Sequence, residues 1–218
     1  LGSKLLKGAP ENPYGFFENT HLLNFNEKLL KQMNSCWDDV FFNESKLNAI
    51  HDVNELESIL RKEFQHSQIF AIKEPRLAYL LPLYIKALTN MKVNIKVIIP
   101  TRNPLEVAKS LTKRNKFTQE KGLLLWAYHF LYTEKFTRGL PRTFISFDEL
   151  IKSPQILIKQ IEKKLMLNLN SEYDARKKQI VDLLTPSLKH HNISLDKKTE
   201  KVPQLLWNIM SLIPKLNE

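Results

Sequence analysis

The sequence predicts an α/β fold in which a parallel β-sheet is flanked by helices and the C-terminal part of the chain is helical. Three short apolar runs, rich in β-branched residues, have the length and composition of buried strands. Longer segments with helical periodicity separate these runs. Strands that alternate with helices are typical of right-handed βαβ units and a parallel sheet.

The three apolar runs predict strands at 69–72, 95–99 and 143–147. Leucines spaced through 77–88 predict a crossover helix between the first two strands, where Pro82 marks a kink or an early break. The first two strands and this helix form the predicted βαβ unit.

The helices are predicted from periodic apolar positions and from capping residues at their starts. Asn19 is placed to cap the first helix, and Asp52 begins a capping-box-like sequence. The clearest signal for the start of a helix is Asn103-Pro104 with Glu106. Asn103 is the N-cap, Pro104 takes the first helical position, and the Glu106 carboxylate completes a capping box. Further helices are predicted at 119–138, from Ser153-Pro154 onward, and near 172–185 and 202–213.

Composition limits the class of protein. The chain has 218 residues, a length that predicts one domain over 1–218. Its 43% hydrophobic and 26% charged residues are ordinary values for a globular protein. The single cysteine, Cys36, excludes an internal disulfide framework and a zinc site built from cysteines. No apolar run approaches the roughly 20 residues of a membrane span, and a cytoplasmic location is predicted.

The net charge of +10 predicts an anionic partner. The alternative is a solvated basic surface without a function of its own. A nucleic-acid binder is a further hypothesis, but only the charge motivates it, because the sequence lacks the aromatic and basic pattern of a known module. We therefore predict no nucleic-acid partner.

Polar residues follow each predicted strand. Lys73, Glu74 and Arg76 follow the first, Arg102 follows the second, and Asp148 follows the third. Ligands of open α/β sheets bind beyond the carboxyl ends of the strands, so these residues are candidates for a site. Simple solvation of a sheet edge is the alternative.

Arg102 and Ser110 form a candidate anion site. Arg102 ends a predicted strand directly before a capped helix, and Ser110 lies about two turns into that helix. A guanidinium offers a planar fork of donors suited to phosphate, and a hydroxyl adds one more donor. The pair therefore predicts that one anion is bound at this strand-to-helix junction.

Several stretches of the chain form an ordered series of motifs. They are Asn12-Pro13-Tyr14-Gly15-Phe16-Phe17-Glu18, Lys73-Glu74-Pro75-Arg76-Leu77, Arg102 to Ser110, Trp126 with Tyr128, Gly139-Leu140-Pro141-Arg142, Ser146-Phe147-Asp148-Glu149-Leu150 and Pro186-Ser187-Leu188-Lys189-His190-His191. In this order they resemble the sulfotransferases that use 3′-phosphoadenosine 5′-phosphosulfate (PAPS), particularly the bacterial sulfotransferase-like branch. The resemblance implies a P-loop NTPase-like fold and PAPS as the sulfuryl donor, without a metal.

The resemblance also implies roles for individual residues. Arg102 and Ser110 would hold the 3′-phosphate of the nucleotide, and Phe147 would lie near it, although a phenylalanine at a strand end is also an ordinary core residue. Lys189 and His190 would bring a positive lid toward the cofactor, or they belong to a solvated loop. The histidines show no metal-binding spacing, and no metal site is predicted.

Two carboxylates are candidates for the base that accepts the acceptor's proton. Glu74 is the first and Glu18 the second, because related enzymes place a catalytic residue in these regions. Each has a structural alternative. Glu74 would pair with Arg76 or Lys73 to organise a turn, and Glu18 would cap the first helix.

The sequence departs from the family pattern at its start. Family members begin with a strand and a phosphate-binding loop rich in Gly, Ser and Thr. The residues around Leu1-Gly2-Ser3 resemble the segment that comes after that loop, so we expect the first strand and the loop to be missing from this sequence.

The predicted function is a PAPS-dependent sulfotransferase acting on a carbohydrate, lipid or small molecule. The alternative is a non-catalytic nucleotide-binding or anion-binding protein of the same fold that has lost the loop.

Overall fold

The structure is a computed structural model that describes residues 1–9, 12, 14–49 and 53–184. It contains both helices and strands, as the sequence predicts. The elements in chain order are α1 (Thr20–Gln32), a 3-10 helix (Glu44–Ala49), α2 (Val53–Phe64), α3 (Leu77–Asn90), β1 (Val97–Thr101), α4 (Pro104–Asn115), α5 (Gln119–Phe136), β2 (Arg142–Ser146), α6 (Phe147–Lys152), α7 (Pro154–Leu165) and α8 (Asn170–Leu183).

The chain divides into two compact units. The first unit comprises Leu1–Ile95 and Tyr128–Arg138, and the second comprises Lys96–Ala127 and the chain from Gly139 onward. Helix α5 therefore contributes its first part to the second unit and its last part to the first. The assignment of 1–218 to a single domain stays a prediction.

The described part of the first unit is built from helices around one apolar core. Helices α1, α2 and α3 place leucines at helical spacing on their inner faces, and Leu22, Leu56 and Leu80 are fully buried there. The predicted cap of α1 is confirmed, since the side chain of Asn19 accepts hydrogen bonds from the backbone N–H groups of His21 and Leu22.

Helix α3 differs from its prediction at one point. It continues through Pro82 to Asn90, so the early break, one of the two predicted alternatives, does not occur. Its inner face explains this, because residues on both sides of the proline, from Ala78 to Leu88, are buried. Packing along the whole helix offsets the one backbone hydrogen bond that a proline removes.

The predicted strand at 69–72 is wrong. Residues 65–76 belong to no helix or strand, and Ile69 is 74% exposed. Phe70 stacks on Phe64 of α2 with 4.3 Å between the ring centroids, and Ile72 also packs against the helical core. The apolar run therefore serves the packing of an extended segment on helices, and the predicted βαβ unit that begins there is absent from the described residues.

The described part of the second unit contains a parallel sheet of two strands. Strand β1 pairs with β2 in a register that runs from Val97 opposite Arg142 to Thr101 opposite Ser146. Both strands were predicted, although β1 begins two residues later than expected, because Ile95 packs against the core of the first unit's helices. Helices α4 and α5 lie between the two strands in the chain.

Close helix packing in the second unit depends on a glycine. A Cβ atom at Gly122 of α5 would lie 2.8 Å from the Cα of Ala108 in α4, so only a glycine permits this approach. A separate cluster joins Ile145 of β2 to Leu157, Ile161 and Leu165 of α7.

The predicted helices at 119–138 and 172–185 correspond to α5 and α8, and the helix from Ser153-Pro154 corresponds to α7. The capping residue Asp52 and the predicted helix near 202–213 lie outside the described residues. None of the helices in the described ranges has both the length and the apolar character needed to cross a bilayer.

Candidate functional site

Arg102 and Phe147 meet at the carboxyl ends of the two strands. Thr101 and Ser146 form the last pair of the sheet, so the next residue of each strand lies just beyond its carboxyl end. The guanidinium of Arg102 stacks over the ring of Phe147 at 4.6 Å from the centroid. This contact holds the guanidinium by a cation–π interaction at the edge where α/β sheets bind ligands.

The guanidinium of Arg102 is only partly occupied by the protein. Its Nε donates a hydrogen bond of 2.9 Å to Oε2 of Glu106, whose side chain is 1% exposed. The terminal nitrogens, Nη1 and Nη2, make no hydrogen bond to any residue that the structure describes, and the side chain is 24% exposed. One edge of the guanidinium is therefore fixed, and the other can donate to a ligand.

The backbone of this junction is fixed as well. Asn103 caps α4, since its Oδ1 accepts a hydrogen bond of 3.0 Å from the backbone N–H of Leu105. The indole N–H of Trp126 donates to the carbonyl oxygen of Arg102 at 3.1 Å. Arg102 therefore leaves the strand in a direction set by the protein.

Ser110 lies on the same face of α4 as Glu106, the carboxylate that binds Arg102. It follows Glu106 by four residues, and residues four apart are neighbours on one helix face, with roughly 5–6 Å between their Cβ atoms. Ser110 is exposed, and its hydroxyl has no hydrogen-bond partner within the described ranges. Arg102 precedes α4, and its partner Glu106 lies one turn before Ser110 on one face of that helix.

The net positive charge along α4 favours the binding of an anion. Glu106 offsets part of the charge of Arg102, but no acidic residue follows it before Glu120. Four cations fall in that interval: Lys109, Lys113, Arg114 and Lys116. A local excess of positive charge raises the concentration of anions near the exposed edge of Arg102.

A second polar cluster lies in the first unit around Glu74. The carboxylate of Glu74 accepts hydrogen bonds from the backbone N–H of Arg76 at 3.1 Å and from its Nη1 at 2.7 Å. The other oxygen accepts from the side-chain amide of Asn26, which in turn accepts from the hydroxyl of Tyr84 at 2.9 Å. The side chain of Glu74 is 1% exposed, so this network is buried.

Glu18 is part of the same cluster. Its carboxylate is 2.6 Å from Nζ of Lys73 and 3.7 Å from Nη1 of Arg76, and Nε of Arg76 also pairs with Glu27. Three carboxylates thus surround one guanidinium, which is 13% exposed. The predicted alternative for Glu74, a pairing with Arg76 at a turn, is what the geometry shows, whereas α1 is capped by Asn19 and Glu18 binds Lys73.

Burial and neighbouring charges compete to set the direction of the pKa shifts in this cluster. Burial raises the pKa of Glu74, and this effect outweighs the attraction and hydrogen bonds of Arg76. Burial alone would lower the pKa of Arg76, but the neighbouring Glu74 and Glu27 raise it. A carboxylate with a raised pKa is a stronger base, which is a property that general bases need.

The structure thus brings the predicted residues together in two sets. Arg102, Ser110 and Phe147 belong to the second unit, and Glu18 and Glu74 belong to the first. Lys189 and His190 lie outside the described residues. Their predicted roles, like the roles of the other residues, stay predictions.

Sequence reasoning gave no site role to Glu106, Asn26, Glu27 or Tyr84. It assigned Glu106 to helix capping, whereas its carboxylate orients Arg102. The spacing of four residues between the two was a usable signal. Asn26-Glu27 follows the first motif of the family resemblance, but no spacing links Asn26 to Tyr84, because the two residues are 58 positions apart.

The described part of the chain holds no group of three or more His, Cys, Asp or Glu side chains placed to bind a metal ion. Comparisons of the chain with protein-family models, with curated proteins and with solved structures returned no match.

Proposed function

We propose that this protein is a sulfotransferase that moves a sulfuryl group from PAPS to a hydroxyl or amine acceptor. A P-loop NTPase-like fold and the bacterial sulfotransferase-like family are parts of the same proposal. One observation carries it: Arg102 stands at the carboxyl end of a parallel strand with one edge of its guanidinium fixed and the other edge without a described partner.

In this proposal Arg102 and Ser110 bind the 3′-phosphate of the nucleotide. The two terminal nitrogens of the guanidinium match two oxygens of a phosphate, and the hydroxyl of Ser110 supplies another hydrogen bond. Glu106 and Phe147 position the guanidinium before the nucleotide arrives. Such preorganisation lowers the entropic cost of binding.

The transfer step needs an in-line acceptor and a base. The acceptor oxygen or nitrogen forms a bond to sulfur while the bond from sulfur to the phosphate oxygen of PAPS breaks, and 3′-phosphoadenosine 5′-phosphate (PAP) leaves. Glu74, or else Glu18, takes the proton that the acceptor loses. The raised pKa of Glu74 supports its choice as the first candidate.

The second candidate function is a nucleotide-binding protein without catalysis. The observation that favours it is that both carboxylates are almost fully buried and already paired, Glu74 with Arg76 and Asn26, and Glu18 with Lys73. A base must approach its acceptor to within hydrogen-bond distance. In this case nucleotide binding would remain and turnover would be absent.

Calorimetric titration with PAP tests the nucleotide site. We expect Arg102→Ala to lose roughly 2–5 kcal/mol of binding free energy, because a charged partner of the phosphate is removed. Ser110→Ala should lose about 1 kcal/mol, as is usual for one hydrogen bond. Arg138→Ala is the matched control, since this arginine is 69% exposed and pairs with Glu134 outside the site.

Equal affinity in the Arg102 and Arg138 variants would contradict the site. Catalysis is tested separately by the release of PAP from PAPS in the presence of phenol, sugar and amine acceptors. Glu74→Gln should slow this release without changing the affinity for PAP. Tight PAP binding without release for any acceptor would favour the non-catalytic alternative.

A further inference from the structure

The first unit contains an open cleft away from its buried carboxylate cluster. One wall is the segment from Phe42 to Glu44, and the other is the face of α5 that carries Tyr128, Leu131, Tyr132 and Lys135. The volume of the cleft is about 580 Å³. Sites for small molecules commonly have about 300–1,000 Å³, so the cleft is large enough for one or two sugar rings.

Three of the residues that line the cleft are aromatic: Phe42, Tyr128 and Tyr132. Tyr132 is packed among other rings, since Phe136 stacks on it at 5.5 Å and Phe42 meets it edge to face at 5.8 Å. Tyr128 lies 6.0 Å from Tyr132, inclined by 36°, and makes no other ring contact within the described residues. Beside them the side chain of Leu131 is 47% exposed. Aromatic faces carry partial negative charge, so they attract the weakly positive C–H groups on one face of a pyranose ring.

Two polar groups that also line the cleft can still make hydrogen bonds to a ligand. The Oδ1 atom of Asn43 accepts from the backbone N–H and the hydroxyl of Ser45 at 3.0 and 2.7 Å. These bonds orient the side-chain amide, whose Nδ2 makes no hydrogen bond to a described residue. The hydroxyl of Tyr128 has no described hydrogen-bond partner either. Both groups are available to a ligand that carries hydroxyls.

A neutral ion pair completes the rim. Nζ of Lys135 lies 2.7 Å from both carboxylate oxygens of Glu44, and the two side chains are 52% and 42% exposed. The pair offers further donors and acceptors without net charge, because each ion offsets the other. An anionic or cationic ligand would meet one repulsive member of the pair, whereas a neutral polyol can bind both.

We propose that this cleft binds a neutral pyranoside, whose apolar face stacks on Tyr128 and whose hydroxyls bind Asn43 and the Lys135–Glu44 pair. The inference goes beyond sulfuryl transfer and does not depend on it, because it concerns a sugar site in the first unit. It is tested in the absence of nucleotide, and its failure leaves the nucleotide site untouched.

Saturation-transfer NMR with methyl β-D-glucopyranoside as the probe tests the proposal. We expect millimolar affinity, with the strongest transfer to the ring C–H protons on one face. Tyr128→Ala should weaken binding by about tenfold or more, and Asn43→Ala by about fivefold, as expected for one lost hydrogen bond. Tyr14→Ala is the matched control, since Tyr14 is 56% exposed and does not line the cleft.

Asn43 is exposed, so its variant should fold even where Tyr128→Ala disturbs α5. Absence of saturation transfer to the wild-type protein would overturn the proposal. Equal binding by the wild type and both cleft variants would also overturn it. Binding of phenol in place of the sugar, with the same dependence on Tyr128, would replace the pyranoside by a planar aromatic ligand and reject the proposed class.

Discussion

Arg76 of the first unit and Arg102 of the second are both partly buried arginines, yet the protein uses them differently. Arg76 pairs with Glu18, Glu27 and Glu74, so its guanidinium is surrounded by carboxylates. Arg102 has one carboxylate partner and one aromatic face, and two of its nitrogens have no described partner. A guanidinium whose charge is offset by three carboxylates of its own protein stabilises the fold, whereas one with a single carboxylate partner and an exposed edge is able to bind a ligand.

The physical reason lies in desolvation. Moving a charge out of water costs several kcal/mol, and a buried cluster offsets this only if every member is paired. Around Arg76 the compensation comes mainly from three neighbouring carboxylates. At Arg102 part of it is left to solvent or to a bound anion, which is the property a binding site requires.

The largest expected effect separates these two arginines directly. Arg76→Met leaves Glu74 buried without its counter-ion, and we expect the free energy of unfolding to fall by roughly 3–5 kcal/mol. Arg102→Met deprives a single buried carboxylate, that of Glu106, of one hydrogen bond and should cost about 1–3 kcal/mol. Denaturation by urea, followed by circular dichroism, measures both values.

The affinity for PAP should show the opposite order. The Arg76 variant, where folded, should bind the nucleotide as the wild type does, and the Arg102 variant should not. Equal loss of stability in the two variants, together with equal loss of affinity, would remove the distinction between a structural and a binding arginine.

The buried carboxylate of Glu63 should make the stability of the first unit depend on pH. Glu63 of α2, whose side chain is 2% exposed, accepts hydrogen bonds from the backbone N–H of Ser3 at 2.8 Å, from Asn19 at 2.7 Å and from the ring of His21 at 2.7 Å. Burial alone would raise the pKa of Glu63, but these hydrogen bonds outweigh it and lower the pKa to about 2.

Because the folded-state pKa of Glu63 lies below its ordinary value of 4.5, the ionised carboxylate stabilises the folded state. This contribution is fully present above pH 4.5 and is lost as the pH falls toward 2. At neutral pH we expect Glu63→Gln to cost about 1–2 kcal/mol, because solvent screens the partly exposed hydrogen bonds from Ser3. The difference from the wild type should vanish in acid, and a pH-independent difference would contradict the assignment.

The smallest expected effects compare the two helix caps. The side chain of Asn19 accepts two backbone hydrogen bonds and donates a third to Glu63, whereas Asn103 accepts one from Leu105. We expect Asn19→Ala to cost about 2 kcal/mol and Asn103→Ala about 1 kcal/mol. Thermal unfolding of the two variants checks the order, and a larger loss at Asn103 would show that the cap alone does not determine the cost.

The helices were the part of the fold most accessible to sequence reasoning. Asn19 and Asn103 mark helix starts through local hydrogen bonds, and these caps form where they were predicted. The segment 69–72 was the main error. Its apolar side chains pack on helical neighbours, and a short apolar run alone does not show whether its partners are strands or helices.

The candidate sites were predictable only where they depend on residues close together in the sequence. The junction at Arg102 follows from strand, cap and helix within ten residues, and Phe147 joins it because parallel pairing aligns the ends of β1 and β2. The cleft beside Tyr128 was not predicted, since its walls are separated by more than eighty residues of sequence. No pattern of neighbouring residues predicts that these two segments come together.

The sequence by itself determined the features that depend on neighbouring residues: the helix caps, the inner faces of α1 to α3, and the strand-to-helix turn that presents Arg102. Tertiary structure alone decided which charges are neutralised. Arg76 and Arg102 each stand near a carboxylate in the sequence, but only folding brought Glu18 and Glu27 to Arg76. The pairing of a charge depends on distances between distant segments, and these distances are fixed by the packing of the whole core.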